Sequence, residues 1–567
     1  MIFDSGYVIN KKLWEQENTR KRNYWWIYIE EILGRLGMSC KSIDIENLDN
    51  HLDSLRILFL GPDDYGKYHH ALKNWVKNGG ILFGFNSSSI DEIFGNKFEK
   101  KIFLENPFSI NGYLNFTGNS FLSSIKGKFP VASDVNLVTS INSKVLACFR
   151  NFPVITSRRF HNGYAFYFGF DIAKTFWVIN QGRPVDMDYD GDGYLRNGDG
   201  IILKSIRLPV TDEFLFFLQN ILCSCLMIPL IYHLPPLNDK DVVPDAVFFY
   251  GGDDESTRGI HFSACEFMKG LSLPYHINIM PDKNFEFAID GEEFRKLEEN
   301  NTEISLHYNF MDHFTHPAGF TEDDVGKQTK IFIEKFKKIP VCVNSHYLRW
   351  TGWYEPALWM EKYNIRGYNG KIHFRFPPVN PVNRIGFAFG TSFPFFYWTD
   401  YTYENKKIEF VDLPITFYEC GYIGEKLDSG KIERAVKLAA NYHTISNFFY
   451  HPVYIARFDS CRKAIRKIVE IADRKNLKIL HSTPDRVTQW WIERSKSKIS
   501  DIELKNNTMT FNVFCTAKQG IAVRIYTGNK KIIDANFPFK MKKLHSKKFL
   551  FLFIPHGENK VKIKFSL

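Results

Sequence analysis

At 567 residues the chain exceeds one ordinary domain, and size scaling points to about three or four. Hydrophobic residues make up 44% and aromatics 16%, which excludes a disordered or fibrous chain and lets each domain bury a core. The formal charge of +10, from 73 basic and 63 acidic residues, is spread thinly or sits on amphipathic stretches such as Lys327 to Lys338, so no nucleic acid is expected as a partner.

The first 235 residues read as a doubly wound α/β domain. Trp25 to Leu36 has helical periodicity and is closed by Gly37, as a glycine at C′ closes a helix. Arg56 to Leu60 is a short apolar strand, Tyr68 to Lys77 an amphipathic helix ended by Gly79-Gly80, and Ile81 to Phe85 the next strand. Strand, helix, glycine pair and strand form the pattern of a parallel βαβ unit. This segment resembles class I glutamine amidotransferase-like domains. Their nucleophilic cysteine belongs just after the second strand, where this chain reads Gly84-Phe-Asn-Ser-Ser-Ser-Ile90. The resemblance therefore implies a non-catalytic domain.

Within it, Asp188, Asp190 and Asp192 fall at positions 1, 3 and 5 of a loop with Gly193 at 6 and Asp199 at 12. That spacing wraps oxygen ligands around a hard cation while glycine permits the sharp turn. Residues 188–199 read as an isolated Ca2+ loop or, without a cation, as a solvated Gly/Asp-rich turn.

Nine cysteines, mostly embedded in apolar runs such as Val341-Cys342-Val343 and with no C-x-x-C pair, fit reduced core thiols. The opening residues contain no continuous apolar run of the secretory kind, and the apolar stretch Phe214 to His233 is broken by Gln219, Asn220, Ser224 and Pro229. A buried helix and strand are expected there rather than a membrane span, with a cytoplasmic location. His233 to Asp241 is the expected linker, and a central domain occupies 240–497. From 498 to 567, period-two alternation in Met509–Phe514, Ile521–Tyr526, Phe549–Ile554 and Val561–Phe565 predicts a small β-sandwich.

The central domain opens with a buried-type strand, Ala246-Val-Phe-Phe-Tyr250, running into Gly251-Gly-Asp-Asp-Glu255. Two acids at the C-terminal end of a strand stand where barrel-like folds carry chemistry. Glu303-Ile-Ser-Leu-His307 is a second strand ending in a ligand-type side chain. Asp312-His-Phe-Thr-His316-Pro317 then precedes a helix whose Thr321 and Asp324 form a capping box.

This ordered set resembles the polysaccharide deacetylase family, which includes chitin and peptidoglycan N-acetylglucosamine deacetylases, over Asp245 to Arg494. The resemblance implies a distorted (β/α) barrel and hydrolytic removal of acetyl groups from a polysaccharide or glycan. It implies Asp254, His307 and His316 as ligands of Zn2+ or another divalent metal, leaving positions open for water and substrate. Asp253 would be the general base, His451 of Asn447-Phe-Phe-Tyr-His451-Pro452 the general acid, and Arg349 the residue that orients the base. The two histidines stand nine apart instead of the family's four, read as an insertion from Tyr308 to Asp312, and His313 is the rival second ligand. His346 is either a pocket residue or a core histidine. Trp350 and Trp353, with Trp398 and Tyr401, are either sugar platforms or core. The competing functional reading is a catalytically silent carbohydrate-binding protein on the same barrel.

Overall fold

A computed structural model describes residues 2–118, 124–238, 242–372, 384–423, 426–545 and 547–566. Lys240, the expected start of the central domain, and residues 239–241 of the expected linker lie outside these.

In the first region, strands Ile2–Ile9, Leu55–Leu60, Ile81–Phe85 and Gly163–Phe168 pair in parallel. The reason is visible in the side-chain alternation. Ile57, Phe59, Ile81, Phe83 and Phe85 enter one core, while Leu58, Leu60 and Leu82 enter another on the opposite face. A strand buried on both faces must be apolar throughout, and helices must cover both sides. Helix Ile29–Leu36 covers the first face and ends at Gly37 in the left-handed region (φ 85°). A Cβ at Gly37 would stand 1.9 Å from the Ile231 carbonyl oxygen, so glycine is required there. Helix His69–Lys77 covers the second face. The stretch Trp25–Tyr28, expected as the start of the first helix, is a 3-10 turn. Beyond Gly163–Phe168 the sheet continues with antiparallel strands, a part not foreseen from the sequence.

The central region carries a sheet of eleven strands. Its parallel run, in spatial order, is Phe417–Tyr418, Ile445–Phe449, Ala246–Asp253, Tyr275–Ile279, Thr302–Tyr308, Cys342–Ser345, Gly367–Tyr368 and Lys407–Asp412. The expected barrel is corrected in one respect: among the described residues no pairing joins Lys407–Asp412 to Phe417–Tyr418, so the sheet is not a closed ring. Helix Glu322–Phe336 starts on the predicted capping box, with Thr321 and Asp324 each accepting from the other's backbone.

The C-terminal strands form at the expected places, Thr508–Cys515, Ile521–Tyr526, Lys547–Ile554 and Gly557–Phe565, but not as a separate sandwich. Lys498–Lys505 pairs antiparallel with the first strand of the chain, Ile2 opposite Glu503 and Phe3 opposite Ile502. Ile521–Tyr526 pairs with Pro229–Ile231. Both sheets of this segment therefore continue structure begun in the first region, because each offers an open edge that backbone hydrogen bonds must satisfy. Buried arginines fix the junction. Arg494 donates to the carbonyls of Gly34, Ile231 and Tyr232, and Arg524 to that of Leu36.

Helix Val210–Cys225 and strand Pro229–Ile231 occupy the apolar stretch as expected, and among the described residues no helix is long and apolar enough to cross a membrane. All nine cysteines are unpaired.

Candidate functional site

The C-terminal ends of the parallel central strands gather the ionisable groups. Asp253 closes Ala246–Asp253, His307 lies one residue from the end of Thr302–Tyr308, and His346 follows Cys342–Ser345. Glu419 follows Phe417–Tyr418, and His451 stands two residues past Ile445–Phe449. Strand register then sets the neighbours: Asp253 lies opposite Asn278, and His307 opposite Asn344.

Asp253, 5% exposed, accepts from Asn278 Nδ2 at 2.9 Å and Asn344 Nδ2 at 3.1 Å, and its Oδ2 stands 3.6 Å from His307 Nε2. His307 Nε2 faces His346 Nδ1 at 3.4 Å. Glu255 Oε1 is 3.7 Å from His346 Nδ1 and 3.4 Å from His451 Nε2, while His451 Nδ1 meets Glu419 Oε1 at 2.8 Å. Glu255 and Ser256 both adopt positive φ, 50° and 57°, and this turn follows directly on the two aspartates.

Environment separates the protonation states. Burial pushes the Asp253 carboxyl up to about 7, partly offset by the His451 cation and the Asn278 hydrogen bond. Burial opposes a charge on His451, but hydrogen bonds to Glu255 and Glu419 overcome it and hold this imidazole well above its ordinary value. His307 is held well below it by burial and by the neighbouring His346 and His451. Burial lowers His346 as well. The cleft thus sets a carboxylate poised near neutrality and an imidazolium beside two neutral imidazoles, a division characteristic of acid–base sites.

The predicted ligand set is not brought together. Asp254 is fully buried and turned aside: Oδ1 accepts from the Ser256 and Met280 amides at 3.0 and 2.8 Å, and Oδ2 meets His261 Nε2 at 3.0 Å. His316 Nδ1 meets the Arg349 guanidinium, its ring 4.7 Å from that of Tyr194. His313 is exposed and bonds the Lys283 carbonyl at 2.7 Å. The insertion explains the displacement, for Phe310 is buried and stacks on Phe320 at 3.7 Å, carrying the following residues away from the strand ends. Among the described residues, no group of three acids or histidines drawn from Asp253, Asp254, Glu255, His307, His313, His316, His346 and His451 brings its ligand atoms within 4.8 Å of one another. The family's set, Asp254 with His307 and His316, does not fit a shared ion. His307 and His346 face each other at 3.4 Å, but Glu255, 3.7 Å from His346, does not complete a three-donor set with them.

Arg349 is fully buried and donates to His316 and to the Ala318 carbonyl, so Asn278 and Asn344, not Arg349, hold Asp253. Trp350 and Trp353 are 2% and 4% exposed. Trp350 stacks on Tyr397 and Trp353 on Trp177, and Trp353 Nε1 donates to the Gly182 carbonyl. Their faces are occupied by protein, which corrects the sugar-platform reading. The exposed ring beside the cleft is Tyr347, 41% exposed and 4.9 Å from the ring of His346.

Residues 188–199 form a compact acidic turn in which Asp188, Asp190 and Asp192 bring carboxylate oxygens within 4.8 Å of one another. Asp199 is not part of that group. It accepts from the amides of Tyr189, Asp190 and Arg196, and Asp192 pairs with Arg196. Burial and the charge of Asp192 push Asp190 up to about 7.

No family model matches the chain, and no curated protein matches it. Among solved structures it is similar to a beta-galactosidase from Bacillus circulans sp. alkalophilus, at 16% identity and TM-score 0.22 over 26% of this chain and 25% of that one. It is similar also to a beta-galactosidase from G. stearothermophilus, at 13% identity and TM-score 0.24 over 30% and 27%. A Mycobacterium smegmatis protein assigned as a polysaccharide deacetylase matches at 10% identity and TM-score 0.30 over 46% of this chain and 94% of that one. The chain spans about a quarter of the length of the galactosidases it matches. At TM-scores of 0.30 or below, the functional reading has to come from the cleft itself.

Proposed function

We propose that the central region is a hydrolase that removes acetyl groups from a carbohydrate, with Asp253 as general base and His451 as general acid. The observation that carries this is the opposed poise of these two residues at one strand edge: a carboxyl raised to about 7 and an imidazole held protonated between Glu255 and Glu419. The sugar part of the reading comes from the ordered motif resemblance.

Asp253, oriented by two amide groups, accepts a proton from water as that water attacks the acetyl carbonyl carbon. Collapse of the tetrahedral intermediate breaks the bond from the acyl carbon to nitrogen or oxygen. His451 delivers the proton that the leaving amine or alkoxide needs, and acetate departs.

The test is acetate release from acetylated chitin and xylan oligomers, comparing the native chain with Asp253→Asn and His451→Ala. Release that both substitutions abolish supports the assignment, and release that neither changes refutes it. A glycan-binding cleft without turnover is the second reading, favoured by the dispersal of Asp254 and His316. Binding of the same oligomers without acetate release would establish it.

A further inference from the structure

A second cluster lies at the opposite, N-terminal ends of the same strands. His276 is the second residue of Tyr275–Ile279 and stands in register with Glu303, the second residue of Thr302–Tyr308. Asp485 lies in the first turn of helix Pro484–Lys496. His276 is fully buried, and its Nδ1 stands 3.5 Å from Glu303 Oε2 and 3.8 Å from Asp485 Oδ1. The three ligand atoms all lie within 4.8 Å of one another.

The tautomer of His276 follows from the residues above it. Asn278 donates its Nδ2 to Asp253, so its Oδ1 faces His276 Nε2, 2.8 Å away, and needs a donor there. His276 therefore carries hydrogen on Nε2, and the lone pair of the neutral ring, on Nδ1, points at two carboxylates. Three electron-rich atoms converging in a buried pocket require a positive charge between them. A proton on Nδ1 is one way to supply it: against the burial that opposes a charge, Glu303 and Asp485 raise this imidazole above its ordinary value. Its contacts would be long. The separations exceed the 2.7–3.2 Å range of N–H···O bonds, and Nδ1 has no hydrogen-bond partner. A tetrahedral ion with bonds of about 2.0–2.2 Å separates its ligands by about 3.3–3.6 Å; the 3.5 Å separation falls in that range and the 3.8 Å one just beyond it.

The carboxylates keep their orientation through other donors. Thr483 Oγ1 and the Asp485 amide donate to Glu303, the Cys342 amide donates to Asp485 Oδ1, and Arg486 Nε stands 3.6 Å from Glu303 Oε1. Glu303 and Asp485 side chains are 18% and 12% exposed, which leaves an entry path. A metal-bound histidine whose other nitrogen is committed to a neighbouring oxygen is the usual way a protein fixes such a ligand.

We propose that His276 Nδ1, Glu303 and Asp485 form a binding site for a divalent transition cation of the Zn2+ class at the base of the central sheet, separate from the cleft at its top. Glu303 and His307 are four residues apart on one strand, so the two ends lie roughly 13 Å apart.

The experiment uses the full chain carrying His307→Ala and His346→Ala, which removes the cleft's imidazole donors, stripped with chelator and titrated with Zn2+ by calorimetry. One equivalent is expected to bind. The Co2+ form is expected to show the visible absorption of a four-coordinate site. Adding Asp485→Asn should weaken binding by more than the roughly 10–100-fold that loss of an outer-shell partner costs. Asp485→Asn preserves shape, and circular dichroism verifies that this variant folds. His276→Gln is the second variant and should act likewise. Failure of the His307→Ala, His346→Ala chain to bind Zn2+, or binding that Asp485→Asn leaves intact, overturns the proposal. Acetate release plays no part in this readout, so its outcome is separable from that of the cleft.

Discussion

Two parallel sheets in this chain end in polar loops, and they differ in what those loops carry. Beyond Leu55–Leu60 and Ile81–Phe85 stand Asp63, Asp64, Asn86, Ser87, Ser88 and Ser89, with Asn86 at φ 54° where an elbow turns the chain. Beyond the central strands stand Asp253, Glu255, His307, His346 and His451. Both places are the carboxyl ends of parallel strands, where such sheets carry their binding groups. In the first, Asp64 accepts from the Gly66 amide and Ser89 Oγ, and Asp63 from Asn10, while burial raises Asp91 and, among the described residues, no imidazole lines the crevice. In the second, burial and charged neighbours move four groups away from their ordinary protonation. Topology thus gathers polar groups at strand ends twice, and the placement of imidazoles beside a desolvated carboxylate sets the second apart.

The sharpest way to break this contrast is by substitution at both places. Asp253→Asn should lower acetate release by roughly 10²–10⁴-fold, the range of a positioned general base, while Asn86→Ala leaves it unchanged. Equal losses would dissolve the distinction. Trp353→Ala comes next. It should cost about 3–5 kcal/mol of stability, read as a lower unfolding temperature, with KM unaltered. A raised KM at unchanged stability would restore Trp353 as a sugar platform.

The pH profile follows. Asp253 works deprotonated, so the rate should rise with pH through about 7 and fall only where the His451 imidazolium is lost, on the alkaline side. Glu419→Gln removes one of the two acceptors that raise His451 and should shift the falling limb to lower pH, leaving the rising limb in place. Stability has the opposite sense for Asp253. A carboxyl raised on folding stabilises the folded state below its unfolded value, and this contribution is lost as pH climbs through about 7. Asp253→Asn should therefore unfold at a higher temperature than the native chain at pH 8, and differ little at pH 4. The smallest effect concerns residues 188–199. Millimolar Ca2+ should raise the unfolding temperature by a few degrees through preferential binding to the folded state, and Asp190→Asn should abolish that rise.

Much of the architecture was legible because period-two and continuous apolar patterns report burial directly, as in Ile81–Phe85 and Ile521–Tyr526. Asp253, His307 and His451 were legible because strand-terminal acids and imidazoles follow apolar runs. The failures were local. Nothing in Gly-Gly-Asp-Asp-Glu announced that the amides of Ser256 and Met280 would hold Asp254 while a positive-φ turn returned Glu255 to the cleft. Asn278 and Asn344 depend on register between strands 25 and 91 residues distant from Asp253 in the chain. No spacing along one segment encodes that. An asparagine between two isoleucines of a buried strand, as in Ile277-Asn278-Ile279, was the available signal.

The pairing of Lys498–Lys505 with Ile2 and Phe3 has a consequence for synthesis. At about 5–20 residues per second, the partner of the opening strand emerges from the ribosome roughly half a minute or more after that strand does. Until then the Ile2–Phe3 end of the strand lacks that partner. A chain cut short before the last seventy or so residues would carry that unprotected edge permanently and should be lost to aggregation or proteolysis however complete its cleft.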